Sequence, residues 1–524
     1  MTDPPPPSTE TRDETPDLRG YAEVIVNAPI RRSFRKGQEP PPTELPGFDE
    51  TPDIHQLSGG YASLQTFHYH IPPALLGKLR PGHLVWVPFG KQTLQGIVVA
   101  LQERAPVETR PIQRLARPQP VLTPTQIQLA FWIADRYVAP AAEAVKLFLP
   151  PGLLRRSEEQ PGVRAKREEV VELRIPPAEI PDRVLELGRA TKQAQVLAYL
   201  LAHPDQVIPQ EELSQACKLR SDDALKNLVR KGAICVDATG ARLGVTPPVA
   251  RQLILELRGA DKYAALLEAL AQAGGVLWKR ELYQRVRGNR AMLRTLEQAG
   301  LVQVTERVRY RDPLAGLVFP ATQPLTLTGQ QAEAWQIIRE ALFPGPDMLT
   351  PGRFLLHGVT GSGKTELYLY AIGETLARNR QAIVLVPEIA LTPQTLARFA
   401  GRFPGRVTVI HSELSSGERY DVWRRIRDGE IDVVVGPRSA LFAPLPRLGL
   451  IIIDEEHEST YKQDAEEWGS FTVFYDARAV ARKLAELTGS GLILGSATPS
   501  LEAYYEAEQG LLTLLELPQR VMGH

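Results

Sequence analysis

The pattern of apolar and polar positions changes character along the chain. Between Tyr21 and Leu101, short apolar stretches alternate with Gly, Pro and charged residues; they are Tyr21–Ile30, Leu64–Ile71, Leu84–Phe89 and Gln95–Leu101. Partial alternation bounded by turn residues predicts strands, and residues 20–118 together a small β-rich domain. The Pro-rich, charged stretch at about 35–63 reads as an insert in it, and residues 1–19 as a disordered tail. Helical periodicity begins after Thr123, where a capping Thr is followed directly by Pro124, a good helix start. Residues 155–190 are charged and weakly patterned, and read as a linker or excursion.

Two stretches then share a plan, residues 194–237 and 263–310. Each reads helix, short apolar strand, helix containing Glu-Leu, helix with Leu-x-x-Leu, and a Gly-led strand pair. This predicts two winged-helix-like units at about 190–245 and 260–312, within a region spanning 119–315. The third helix of such a unit enters a DNA groove or serves a protein contact. Arg287, Arg290 and Arg294 lie on or next to it in the second unit, where they also fit a plain solvated face. From residue 320 to 524, short continuous apolar runs alternate with helical segments: RFLLHG, AIVLVP, RVTVIH, DVVVG, GLIIID and GLILGS. Such runs are what buried parallel strands require, so this part is an α/β domain with a doubly wound sheet.

Composition narrows the class. At 524 residues, 43% hydrophobic and 23% charged, the chain has apolar material for several cores. No run of about 18 apolar residues is present and the N-terminus has no apolar signal-peptide core, so neither a membrane span nor a secretory leader is expected. Lys plus Arg equals Asp plus Glu, 61 against 61, so total charge gives no hint of nucleic acid, though local patches still count. The two cysteines, Cys217 and Cys235, cannot make a disulfide framework or a four-cysteine zinc site; a reducing cytoplasm is the natural reading.

Three motifs carry chemistry. Gly358-Val359-Thr360-Gly361-Ser362-Gly363-Lys364-Thr365 follows one apolar strand and opens a helix. Its glycines let backbone N–H groups face phosphate oxygens, and the helix N-terminus adds its positive dipole end. Lys364 would pair with the β- and γ-phosphates, and the Thr365 hydroxyl would ligate Mg2+. Asp454-Glu455-Glu456-His457 follows four apolar residues, which puts its carboxylates at the C-terminal end of a strand, where ligands bind in open α/β sheets. Asp454 is placed to hold Mg2+, Glu455 to orient or deprotonate an attacking water, and His457 to couple the nucleotide to a DNA-contacting loop. Ser496-Ala497-Thr498 is weak alone, and gains value as the third member of an ordered set.

That set resembles the first RecA-like lobe of superfamily 2 helicases and translocases. Val386–Pro393, His411-Ser412, Arg438–Pro446, Tyr461-Lys462-Gln463 and Gly495–Leu501 narrow it further. So do Arg311-Asp312-Pro313, Leu327–Gln331, and Val87–Gly90 followed by Gly96–Val99. Together they resemble the primosomal replication-restart DNA helicases, the PriA family, over roughly residues 20–524. The resemblance implies a multidomain α/β protein: a RecA-like P-loop lobe at 320–524, winged-helix-like α+β segments before it, and a β-rich domain that holds a DNA 3′ end. It implies ATP and Mg2+ as cofactors. It also implies forked DNA, primosome or helicase-loading proteins and single-stranded-DNA-binding protein as partners, with no membrane.

Residue by residue, the family's Phe-Asp-Tyr pocket string matches Phe67-His68-Tyr69, with Phe67 stacking on the terminal base or packing in the core. A neutral His68 offers one acceptor where the family's Asp accepts from a sugar hydroxyl. The adenine-reading Gln matches Gln331, with Gln330 as the alternative. Arg438 matches a DNA-backbone contact, in a string where Pro437 has no N–H to donate. Tyr461 and Lys462 begin an aromatic-rich loop that links DNA to ATP hydrolysis. Arg478 matches a DNA-contacting position near the end of that loop, and Trp468, Phe471 and Phe474 are extra aromatics that stack bases or pack. His457, Ser496 and Thr498 match the coupling motifs.

In the family a second lobe with an eight-cysteine zinc module follows, and arginines from that lobe complete the ATP site. The expectation is therefore either an ATP-dependent 3′-to-5′ DNA helicase represented by its N-terminal portion, or a fork-binding loading scaffold that does not unwind. A translocase on other nucleic acid is the third alternative, and the N-terminal domain counts against it.

Overall fold

The computed structural model describes residues 20–27, 66–155, 162–189, 191–204, 206–237, 240–342, 351–462 and 473–521. The predicted tail at 1–19, the insert at 35–63, Gln463, Trp468 and Phe471 lie outside them. Two compact units are present: Met1–Ala165 with Tyr310–His524, and Lys166–Arg309. No helix among the described residues is long and apolar enough to cross a membrane.

The first unit begins with a six-stranded sheet in the order Arg110–Pro111, Thr66–His70, Tyr21–Val26, Gln92–Gln102, Leu84–Phe89, Arg114–Leu115. Its centre is antiparallel, and the pairing of Tyr21–Val26 with Gln92–Gln102 shifts register between Glu23 and Val24. Val24, Val85, Val87 and Val98 are fully buried in its core. The β-rich character is readable from short apolar runs bounded by turn residues; alternate positions enter two cores, Val85 and Val98 one, Leu84 and Ile97 the other.

The helix predicted after Thr123 is Pro124–Arg136, closed by a reciprocal capping box between Thr123 and Gln126. It does not join the winged-helix region. With Ala141–Lys146 and Phe148 it shares one core with Leu441, Phe442, Ala477 and Val480 of the C-terminal lobe. Trp423 Nε1 donates to the Phe148 carbonyl at 3.1 Å, and Arg117 donates to the Tyr420 hydroxyl at 2.5 Å. Residues 119–165 thus belong to the lobe's unit, and not to the expected 119–315 region.

The lobe is a seven-stranded parallel sheet. Its spatial order is Val407–Val409, Val433–Gly436, Gln381–Leu385, Leu448–Ile453, Gly491–Ser496, Arg353–Gly358, Thr513–Leu517. All six predicted runs are strands, and the edge strand Thr513–Leu517 was not anticipated. Helix Ser416–Arg427 opens on a capping box from Ser415 and Glu418 and carries Asp421, which is fully buried. One Asp421 oxygen accepts from the backbone N–H of Arg311 at 3.1 Å and from its Nε at 2.6 Å. The Arg311-Asp312-Pro313 string is thereby clamped to the lobe.

The second unit, Lys166–Arg309, holds both predicted helical repeats, but nested and not in tandem. The first has helices Lys192–Ala202, Gln210–Ala216 and Asp223–Arg230, then the hairpin Ile234–Asp237 with Gly240–Leu243. The second has helices Asp261–Gln272, Lys279–Arg285 and Arg290–Gln298, but its sheet is Val276–Trp278, Arg167–Leu173, Val302–Val308. Its central strand comes from the segment read as a linker, so the first repeat is inserted between that strand and the rest of the second. Arg167–Leu173 (REEVVEL) escaped recognition because only Val170, Val171 and Leu173 are apolar. Its acids are satisfied by basic side chains of the second repeat and the residues after it, Glu168 by Arg309 at 2.8 Å, Glu172 by Arg307 on the neighbouring strand and Glu169 by Lys279 at a helix start.

Candidate nucleotide and nucleic-acid site

Three loops meet at the carboxyl end of the parallel sheet. The first leaves strand Arg353–Gly358 and enters helix Lys364–Ala377. Gly361 and Gly363 have φ of 83° and 82°, and a Cβ on Gly363 would fall 2.2 Å from Gln331 Nε2, so only glycine fits there. Ser362 Oγ is buried without a hydrogen-bond partner. Lys364 is buried, and its Nζ donates to the Gly358 carbonyl at 2.7 Å. An orphaned hydroxyl, a buried ammonium spent on a backbone carbonyl and a helix N-terminus form a cradle suited to an anion.

The second loop leaves strand Leu448–Ile453. The neighbouring strands pair Ile453 with Leu494 and His357 with Ser496, so all three loop starts lie side by side. Burial, and secondarily the charge of Glu455, pushes the Asp454 carboxyl above its ordinary range; the Tyr368 hydrogen bond and Lys364 oppose the shift. Tyr368 Oη donates to Asp454 Oδ1 at 3.0 Å. Burial pushes the ionisation of that phenol well up, so it stays a donor. Tyr368 was missed by the sequence reading. The available signal was its place four residues after Lys364, on the same helix face. A Cβ on Gly495 would fall 1.6 Å from the Tyr368 hydroxyl, which explains the glycine before Ser496.

Glu455 takes a left-handed backbone, φ 46°, a conformation that costs a non-glycine residue about 1–3 kcal/mol. The turn sends Glu456 into the core and leaves Glu455 and His457 partly exposed at the mouth. Ser496 Oγ lies 2.7 Å from His457 Nδ1 and accepts from Thr498 N–H at 3.0 Å. The third loop is thus tied directly to the second, and His457, Ser496 and Thr498 stand together.

Other predicted residues are placed differently. Tyr461 is 1% exposed, and its hydroxyl donates to the Asp454 carbonyl at 2.7 Å. In this structure it braces the acidic turn and presents no ring for DNA. Arg478 is also buried, at 8% exposure, donating to Asp476 Oδ2 at 2.9 Å and to the Glu456 carbonyl at 3.0 Å. Glu456 accepts in turn from the N–H of Ser500 at 2.6 Å and from its hydroxyl at 3.0 Å. Arg478 therefore organises the acidic turn and is not free for a DNA phosphate. Lys462 is exposed, and Arg438 reaches the carbonyls of Thr460 at 3.2 Å and Lys462 at 3.4 Å. These two border a cavity of about 520 Å³ whose lining includes Phe148, Pro387, His411 and Tyr461.

In the N-terminal sheet Phe67 is 41% exposed, edge-on to Phe89 with ring centroids 5.0 Å apart. Tyr69 is 4% exposed and donates to the Pro88 carbonyl at 3.1 Å, so it is a core residue. Its burial pushes the phenol up to about 12, against the opposing charge of Arg110. Strand alternation turns His68 to the opposite face, across from Glu23, so the three-residue string does not line one wall. Gln331 is buried, its Oε1 accepting from Thr328 N–H at 2.9 Å and its Nε2 donating to the Ser362 carbonyl at 2.9 Å. Its amide is committed to bracing the phosphate loop.

Two family models match the chain: a 3′DNA-binding domain (3′BD) over residues 61–150, and a DEAD/DEAH box helicase over residues 328–507. The replication restart protein PriA of Bacillus subtilis (strain 168) is 38% identical over 467 residues, 87% of this chain and 54% of its own length. That of Synechocystis sp. is 34% identical over 491 residues, 90% of this chain and 54% of its own. The chain belongs to the PriA family. Within that family, identity to the Haemophilus influenzae protein is 45% over 201 residues, 38% of this chain and 26% of that protein. The chain spans about half the length of the Bacillus and Synechocystis relatives.

Proposed function

We propose that this chain recognises DNA forks and binds and hydrolyses ATP with Mg2+, as part of a 3′-to-5′ replication restart helicase activity that starts primosome assembly. Its partners in that role are forked DNA, helicase-loading proteins of the primosome and single-stranded-DNA-binding protein. The observation that carries the reading is the joining of three loops at one sheet edge. The charge of Lys364 favours the ionised Asp454 carboxylate there, and the 2.7 Å contact of His457 with Ser496 ties the acidic turn to the Ser-Ala-Thr turn.

The residues suit a nucleotide and a cation. A phosphate would satisfy the orphaned Ser362 hydroxyl, and a cation would relieve the burial of the Asp454 carboxylate. Thr360 lies within the loop whose N–H groups, with those of Gly361, Ser362 and Gly363, would hold phosphate oxygens. Lys364 would exchange its carbonyl for the β- and γ-phosphates. Asp454 and the Thr365 hydroxyl would hold Mg2+, which when bound neutralises charge on the transferring phosphoryl group. Glu455, at the open mouth, would orient the attacking water and accept its proton. Among the described residues there is no cluster of three or more His, Cys, Asp or Glu side chains that could hold a metal ion. One carboxylate, one hydroxyl and phosphate oxygens make no such cluster.

The reading is tested by ATP turnover with and without a forked DNA that carries a 3′ leading-strand end. Stimulation by the fork supports it; tight fork binding with no turnover would sink the motor claim for this chain.

Tyr368→Phe tests the brace on Asp454. Removing the hydrogen-bond partner of a metal-holding carboxylate commonly lowers metal affinity about 10–100-fold, so half-maximal turnover should need at least roughly tenfold more Mg2+. The lost hydrogen bond had favoured the ionised carboxylate, so the Asp454 pKa rises further and the acid limb of the pH–rate profile moves to higher pH. An unmoved Mg2+ requirement would show that the contact is only structural. Phe67→Ala should weaken binding of an oligonucleotide 3′ end by about 5- to 150-fold, the range of one lost base stack, while leaving ATP affinity unchanged. Fluorescence anisotropy with a 3′-end-labelled strand reads this directly.

A further inference from the structure

The last strand of the lobe, Thr513–Leu517, runs parallel to Arg353–Gly358 and delivers Pro518–Val521 to the sheet edge that carries the phosphate loop. The segment docks on that loop. Val359 N–H donates to the Leu517 carbonyl at 3.2 Å, and Val521 N–H donates to the Gly361 carbonyl at 3.0 Å. A Cβ built on Gly361 would lie 3.9 Å from Arg520 Cγ and 4.0 Å from its Cδ, so the stem of Arg520 lies over the loop.

Between this segment and the turn Thr328–Gln331 is a cavity of about 220 Å³, with Ser362 in its wall. Sites that enclose a whole small ligand measure roughly 300–1,000 Å³, so this one is sized for part of a ligand. Its lining contains the Gln330, Gln331 and Gln519 amides and the Arg520 guanidinium, and no carboxylate. Arg520 is exposed and has no hydrogen bond or ion pair among the described residues. Gln331, the residue expected to read the base, has its amide committed to Thr328 and Ser362. What the cavity retains is a planar cation beside amide edges, which suits the face of a flat, electron-rich heterocycle.

We infer that Arg520 lays its guanidinium on the purine ring of the nucleotide whose phosphates the loop holds, with Gln330 and Gln519 at the ring's edge. This rests on the ATP reading above. It makes the segment after the last strand a direct sensor of the bound base.

The test is calorimetric titration of the whole chain with ATP and, separately, with inorganic tripolyphosphate, which has the phosphates but no base. Arg520→Ala should weaken ATP about fivefold or more and leave tripolyphosphate within twofold. Lys364→Ala should weaken both. Unchanged ATP affinity in Arg520→Ala would overturn the inference while leaving the ATP reading intact. Equal weakening of both ligands would place Arg520 on the phosphates and overturn the base contact. No binding of ATP by the unaltered chain would overturn the inference and the proposed function together.

Discussion

Lys364→Ala should lower fork-stimulated ATP turnover by about 10²–10³-fold, the order found when one preorganised donor to developing charge is removed. The reason lies in where the ammonium sits. Its stem is buried in the first turn of a helix rooted in the sheet, and it donates to the Gly358 carbonyl, 2.7 Å away. A phosphate can replace that carbonyl without moving the backbone. Alanine leaves the loop glycines, Ser362 and Gln331 in place, so the fold should persist, and fork binding through the N-terminal sheet should stay within about twofold of the parent. Steady-state phosphate release with and without fork, beside anisotropy for DNA, separates the two. Turnover retained within a few-fold would mean that this loop is not the hydrolytic site.

The largest stability effect is expected at Asp421. Breaking a buried ion pair by removing one partner costs roughly 3–5 kcal/mol, because the other charge loses its compensation. Arg311 keeps about a third of its side chain in solvent, which lets water recover part of the loss, so Asp421→Ala should fall near the lower end, about 3 kcal/mol. The carboxylate holds the Arg311 backbone as well as its guanidinium, so Asp421→Asn should recover part of the loss by keeping an acceptor of the same size. Urea unfolding followed by the fluorescence of Trp423, two residues away, reads the shift. A midpoint unchanged in Asp421→Ala would show that the clamp contributes nothing to the lobe.

The lobe was legible because each of its buried strands is a continuous apolar run, and because the chemistry sits where those runs end. The sequence alone puts Lys364, Asp454 and Ser496 at one edge, since parallel strands bring their carboxyl ends together. Burial was not legible. Tyr461 and Arg478 resemble surface residues by type, yet a polar group enters a core whenever its hydrogen bonds are met inside it, as Asp454, Asp476 and Glu456 meet theirs. Thr513–Leu517 is an edge strand with one neighbour and a short, broken pattern. The nesting in the second unit depends on which strands pair across long separations, and no local window carries that information.

That nesting has a consequence in time. Arg167–Leu173 pairs with Val276–Trp278 and Val302–Val308, and the whole first repeat is made in between. At about 5–20 residues per second of synthesis, its partners arrive roughly 5–27 s later. The first repeat has its own core and can close while the strand waits. During that interval Val170 and Val171 belong to a strand with two open edges, the kind of segment that pairs with other chains. Arg167, Glu168, Glu169 and Glu172 flank them, so the charges that hid this strand in the sequence would also keep it from pairing wrongly until its own neighbours are made.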